Sequence, residues 1–204
     1  MIKVEKSSEQ IHAQGGIFIT HELFKRYGID KVIDKHLGPR GSGKGYSFSD
    51  IILGLVYSQH CGATCIEDMQ QMVATFNNHP EFEMASPDKV LRMLDELKTE
   101  TIIQTSKNGI KHEFSSNLLL NDLLQEICIK TKVLSTTDKC TLDYDNTINE
   151  CNKYDAKTTC KMTKGYQPGV GSINNVPIFI EGRNGNSNAK YLMTDTLKKT
   201  KSLT

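Results

Sequence analysis

The chain has 204 residues, 37% of them hydrophobic, with 25 lysines and arginines against 24 aspartates and glutamates. That length and apolar content suffice for a packed core in one full domain or two small ones, and exclude a peptide or a linker. A net charge of +1 excludes a uniformly basic tail protein, so charge has to be read by region.

Residues 151–204 hold nine basic and three acidic residues, whereas residues 51–100 hold three basic and eight acidic. Any nucleic-acid face is therefore expected late in the chain. No apolar run approaches the roughly 20 residues that span a bilayer, and the start MIKVEKSSEQ lacks the apolar centre of a secretory signal, so a cytoplasmic location is expected. The six cysteines are scattered through apolar or strand-like segments and are expected as reduced thiols.

In chain order, GGIFIT at 15–20 is a Gly-broken apolar run, expected as a short strand or an extended arm. From Thr20 a helical pattern runs to Gly28 and resumes with Ile29, Val32, Ile33 and Leu37 until Gly38 and Pro39, which predicts a helical pair. Ser47 with Asp50 three residues on has capping-box spacing and opens a helix through Ile51, Ile52, Leu55 and Val56 that Gly62 stops. CIEDMQQMVATF places Ile66, Met69, Met72 and Val73 on one face, and SPDKVLRMLDEL has Ser86 as cap and Pro87 at the first helical position. After the polar segment TSKNGIKHEFSS, a helix over about 117–132 carries Leu119, Leu120, Leu123, Leu124 and Ile127 as its buried stripe. The first two thirds of the chain thus read as helical. At Cys140, Leu142 and Tyr144 the period becomes that of a strand, which puts a domain boundary near residue 135. KGYQPG and VPIFIEG read as further strands, and SNAKYLMTDTLKK as a helix.

Three constellations are weighed and set aside. Gly38, Gly43 and Lys44 fit the spacing of a phosphate-binding loop, but Gly45 stands where Ser or Thr should hold magnesium, and the preceding segment reads as helix rather than strand. It reads as a Gly-rich linker whose Arg40 and Lys44 are the residues within reach of DNA phosphates. His60, Cys61 and Cys65 cluster without any CxxC pair, which favours buried thiols at a helix end over a zinc site. Helices at 49–61 and 65–75 have the outline of a helix-turn-helix, but Glu67 and Asp68 would repel phosphates at the start of the recognition helix.

The strongest feature is LDYDNT at 142–147. On a strand, residues two apart lie about 6.5–7 Å apart and point the same way, so Asp143 and Asp145 share a face opposite Leu142 and Tyr144. Carboxylate oxygens suit magnesium or manganese, and two-metal phosphoryl chemistry needs such acids on a rigid strand with more supplied from elsewhere. Solvated or capping acids are the alternative reading.

YSFSDIILGLVYSQHCGATCIEDMQQM, SPDKVLRMLDEL, TLDYDNTI and KGYQPGVGSINNVPIFIEGRNGNSNAKYLMTDTLKK together resemble insertion-sequence transposases of the DDE type, in the group with a helical N-terminal region and a β-strand insertion in the catalytic core. The resemblance covers nearly the whole chain. It implies a mixed α and α/β fold: a helical region over 1–134 that binds DNA ends or dimerises, then an incomplete RNase H-like domain over 135–204. It implies Mg2+ or Mn2+ as cofactor, transposon DNA ends as partner, homodimerisation or pairing with a full-length transposase, and no membrane. Asp145, in YDNT, matches the family's first catalytic Asp and metal ligand, and Asp143 is the neighbouring acid that stands as the alternative ligand. Lys161, Lys164 and Arg183, in the basic C-terminal portion, are the candidate phosphate contacts, with a solvated charge as the alternative reading of each. RNGN, Arg183 to Asn186, resembles a family motif, and on the residues alone it is a tight turn that needs Gly185 at positive φ.

The family also needs a second Asp on a later strand and a Glu on a helix past the β-insertion. Asp195, inside a helical segment, is no substitute. The expectation is therefore a truncated transposase fragment, inactive alone, whose polar end LKKTKSLT fits a premature stop or frameshift. Its RNase H-like sheet would have a central strand lacking one neighbour and would leave the apolar face of VPIFI open. The alternative from a different class is a DNA-binding regulatory module that inhibits or modulates an intact transposase.

Overall fold

The computed structural model describes residues 13–40, 45–76, 84–135 and 139–203, and the chain divides into two compact units, Met1–Asp95 and Glu96–Thr204.

The first unit is helical. It comprises α1 (Ile17–Tyr27), α2 (Ile29–Leu37), α3 (Phe48–His60), a single 3-10 turn (Ile66–Asp68), α4 (Met69–Phe76) and α5 (Pro87–Glu96). Gly28 sits at φ 60° and its N–H reaches the carbonyls of Lys25 and Phe24, so one left-handed residue both ends α1 and starts α2. GGIFIT is not a strand or arm: the amides of Ile17, Phe18 and Ile19 bond the carbonyls of Gln14, Gly15 and Gly16 as a helix start. Helix wins there because it buries Ile17 and sets Phe18 edge-on to Phe76, with ring centroids 5.9 Å apart. The Ser47–Asp50 capping box is present in both directions, the Asp50 amide donating to Ser47 Oγ (3.1 Å) and the Ser47 amide to Asp50 Oδ2 (2.8 Å). Asp34 ties α2 to this cap by accepting from the Ser49 amide (3.1 Å) and hydroxyl (2.8 Å). Ile33, Ile51, Met69, Phe76, Val90 and Met93 are buried and form the core, each contributing about 1.5–3 kcal/mol of burial. Tyr57 hydrogen-bonds His21 Nδ1 at 3.0 Å, and burial, with the charge of Asp30 adding, pushes its hydroxyl pKa up to about 12.

The second unit is mixed. It comprises β1 (Ile102–Thr105), β2 (Lys111–Ser115), α6 (Leu118–Lys130), β3 (Leu142–Asn146), β4 (Asn149–Glu150), β5 (Lys157–Thr158), β6 (Lys164–Tyr166), β7 (Gly169–Ile173), β8 (Val176–Arg183) and α7 (Met193–Leu203). Five strands form one sheet in the order β1-β2-β8-β7-β3, and three short ones form a second in the order β4-β6-β5. Every pairing is antiparallel.

Helix over all of 1–134 is therefore corrected. TSKNGIKHEFSS belongs to a hairpin whose turn is closed by Ser106 N–H to the Ile110 carbonyl (2.9 Å), with Gly109 at φ 76°. Its second strand pairs Phe114 with Arg183 and Ser115 with Gly182. The change of period at 140 falls inside the second unit, and the division lies between Asp95 and Glu96 instead of near 135.

The buried face of α6 differs from the apolar stripe. Asn121, Leu123, Gln125 and Cys128 are buried while Leu119 is exposed. The reason lies in β8. Asn121 donates from Nδ2 to the Ile180 carbonyl (3.0 Å) and accepts from the Ile180 amide at Oδ1 (2.8 Å), and Gln125 Nε2 donates to the Ile178 carbonyl (3.0 Å). Two buried amides thus satisfy backbone groups on the part of β8 that β2 does not reach. VPIFI is consequently not left wholly open, since Ile178 and Phe179 are buried, while Pro177 and Ile180 are exposed. The edges of this sheet are β1 and β3, and among the described residues β3 pairs with β7 alone. Gly169 of β7 lets β3 pack down: a Cβ there would run into the Tyr144 hydroxyl. Among the described residues no helix is long and apolar enough to cross a membrane.

Candidate functional site

On β3 the alternation is as the sequence predicts. Asp143 and Asp145 lie opposite Ser172 and Val170 on the exposed face, and Leu142, Tyr144 and Asn146 are half-buried on the other. Asp145 Oδ1 accepts from the Asn146 amide (2.8 Å), and Asn146 Nδ2 donates to the Gln167 carbonyl (2.9 Å), which pins the end of the strand. The pair offers two carboxylates on a rigid support. That suits one hydrated Mg2+ or Mn2+. It does not suit a two-metal centre, because among the described residues no group of three His, Cys, Asp or Glu could hold a metal ion. Asp195, on α7, faces Lys198 at 3.9 Å and is exposed. No reaction step follows from these residues alone.

The inner face of the sheet carries a buried charged cluster. Arg183 Nε donates to Glu181 Oε1 at 3.0 Å, with both side chains almost wholly buried. Arg183 Nη1 donates to the carbonyls of Asn188 (3.2 Å), Ala189 (3.4 Å) and Tyr191 (2.9 Å), and Nη2 to Thr196 Oγ1 (2.9 Å). Its guanidinium carbon lies 4.9 Å from the Phe114 ring centroid and 5.8 Å from that of Tyr144. Lys199 Nζ reaches Glu181 Oε2 at 3.4 Å. Arg183 is thus corrected as a phosphate contact: it is 2% exposed, and all three of its nitrogens donate to groups inside the protein, where it anchors the segment leading into α7. Burial also raises the pKa of Tyr144.

Lys161 and Lys164 are exposed on the small sheet, as a phosphate contact requires. Gly185 is needed for a different reason from the one expected. Its φ is not positive, and a Cβ there would lie 2.5 Å from the Lys157 carbonyl oxygen and against that of Gly165. Beside it Asn184 is a buried hub: its Nδ2 donates to Glu113 Oε2 (2.7 Å) and the Asp155 carbonyl (3.0 Å), and its Oδ1 accepts from the amides of Lys157 and Gly185 (both 2.8 Å). The RNGN segment therefore joins the small sheet to the large one.

Elsewhere, Asp68 is a local cap. It accepts from the amides of Thr64 (2.7 Å) and Cys65 (3.2 Å), bonds that lower its pKa. All six cysteines are free thiols. Arg40 Nη1 donates to the Tyr46 carbonyl (3.2 Å) and its guanidinium lies 5.6 Å from the Phe48 ring centroid; Gly43 and Lys44 lie outside the described residues.

Glu181, Thr196, Asn184, Asn121 and Gln125 are the residues that sequence reasoning missed. The signal for Glu181 was present, because alternation along IFIEGR puts Phe179, Glu181 and Arg183 on one face. Nothing local marks the others. Compared with known proteins, the chain matches no family model, no curated protein and no solved structure.

Proposed function

We propose that this chain belongs to a DDE-type DNA transposition system and that its second unit is the opening part of an RNase H-like core, with Asp145 as first metal-binding carboxylate and Asp143 beside it. In this reading Asp143 and Asp145 are one ligand pair of a larger site that also takes a second Asp and a Glu. The helical unit takes the role of DNA-end binding or dimerisation, and Lys161 and Lys164 contact phosphates. One observation supports the reading above the rest: the acidic pair stands on an outer strand whose free edge could take a further strand, within an antiparallel β3-β7-β8 meander followed by a helix.

Mn2+ added to the isotopically labelled chain tests the metal assignment. Paramagnetic broadening is expected first at Asp143–Asn146 and is expected to vanish in Asp143→Ala/Asp145→Ala. Broadening elsewhere, or unchanged in that variant, removes the assignment. The coding DNA beyond codon 204 tests the wider reading. A strand bearing Asp and a later helix bearing Glu, in any frame, are expected; their absence from all three frames favours a self-sufficient DNA-binding regulator.

A further inference from the structure

The small sheet carries a second surface that owes nothing to the acidic pair. Residues 149–166 hold four lysines, at 153, 157, 161 and 164, against Glu150 and Asp155. All four lysines are exposed, and among the described residues none makes an ion pair, whereas Lys198 and Lys199 of α7 both do. Both acids are engaged within the lobe. Asp155 accepts from the Tyr166 hydroxyl at 2.6 Å and Glu150 from the Thr163 hydroxyl at 3.2 Å.

Tyr154, between Lys153 and Asp155, is 99% exposed. It does not ride on a loose end. The Ala156 amide bonds the Lys153 carbonyl (3.2 Å), closing a turn around Tyr154, and Ala156 is buried beside it. The Lys157 amide then fastens the chain to Asn184 Oδ1 at 2.8 Å. A rigidly footed aromatic ring with both faces open adds nothing to the core. Among unpaired ammonium groups, it is the combination that proteins use to stack a base and neutralise flanking phosphates.

The register decides which form of nucleic acid fits. Lys157 lies opposite Gly165, and Lys164 opposite Thr158 on the neighbouring pair of positions, so the two lysines project from opposite faces of the ribbon. Charge wraps the lobe instead of coating one side. A stiff duplex would meet one face only, while a single strand can bend round the edge and also leaves its bases free to stack.

We propose that this lobe binds single-stranded DNA, with a base stacked on Tyr154 and phosphates met by Lys153, Lys157, Lys161 and Lys164. The identification of the strand as DNA rests on the function proposed above; the surface itself requires no metal. Fluorescence anisotropy with the full chain, in EDTA, tests it with labelled oligo-dT of 20 nucleotides and a duplex of equal length. Tighter binding of oligo-dT is expected, with a log–log salt slope of about −2 to −3 for four phosphates on a single strand. Tyr154→Ala should weaken it about tenfold or more, Tyr154→Phe by no more than about twofold, and Lys157→Glu/Lys161→Glu should weaken it and flatten the slope. Because Tyr154 is fully exposed, the Ala variant keeps its fold, which circular dichroism checks. Absence of oligo-dT binding, duplex binding at least as tight, or wild-type affinity in Tyr154→Ala each overturns the proposal. The metal assignment and the wider reading stand or fall separately, on Mn2+ broadening and on the downstream Asp and Glu.

Discussion

Arg183→Ala should be among the most damaging single changes in the second unit. It leaves Glu181 buried without its closest cation and takes a charged donor from three carbonyls and from Thr196. Removing one partner of a buried ion pair costs about 3–5 kcal/mol. Lys199, whose side chain is 34% exposed and lies 3.4 Å from Glu181, remains as a second cation and holds the loss near the lower end, about 3 kcal/mol. For a unit of this size that is about 12–24 °C in Tm, and a large share of the roughly 5–15 kcal/mol that keeps a domain folded. Native-state hydrogen exchange at the Phe179 and Glu181 amides reads this unit without averaging over the helical one, and urea denaturation followed by circular dichroism gives the global figure. Glu181→Leu/Arg183→Met removes both charges, so it should recover at least about 1 kcal/mol relative to Arg183→Ala. A loss below about 1 kcal/mol in the single variant, or a double variant no more stable than it, would refute the view that the cluster is held by mutual neutralisation.

Two further outcomes follow from the same unit. Gly169→Ala drives a methyl into the Tyr144 hydroxyl and should cost about 1–3 kcal/mol; Gly169→Ala/Tyr144→Phe should regain part of it, since it removes the oxygen that the methyl meets. A wild-type urea midpoint for Gly169→Ala would remove the steric argument. His112 is buried and stacked on Tyr191 with ring centroids 4.0 Å apart, and burial, helped by the charge of Arg183, lowers its pKa. The unfolded chain, with an imidazole pKa near 6.5, takes up the proton first. The contribution of neutral His112 is therefore whole above about pH 6.5 and declines as pH falls below it. Unfolding at pH 7.5 and 5.5 should show a smaller acid loss in His112→Phe than in wild type; equal losses mean that His112 is not the group responsible.

Local signals were legible wherever one residue type does one job. Gly28 as a left-handed joint, Ser47 with Asp50 as a capping box, and Pro87 opening α5 all depend on neighbours a few positions away. The Asp143–Asp145 face was legible for the same reason, because strand alternation needs no knowledge of the partner strand. What could not be read was long-range. KHEFS becomes a strand by pairing with residues 182 and 183, and Asn121 and Gln125 are inward because of carbonyls more than fifty positions away. Arg183 looked like a surface cation until Glu181, its neighbour on the same face of β8, was placed under α7 with it.

The two amides of α6 also set a length standard. Four helical residues advance about 6 Å, and two strand residues about 6.7 Å, so Asn121 and Gln125 meet the carbonyls of Ile180 and Ile178 with a misfit well under an ångström. The coincidence lasts for one step. One turn earlier Asn117 is already committed to the Leu97 carbonyl and the Leu120 amide, and two positions along the strand Gly182 has Ser115 opposite it. Helix and strand therefore mesh like two combs of unequal pitch that coincide at a single pair of teeth. Inserting or deleting one residue between Asn121 and Gln125 would swing one amide about 100° round the helix and strip β8 of that partner.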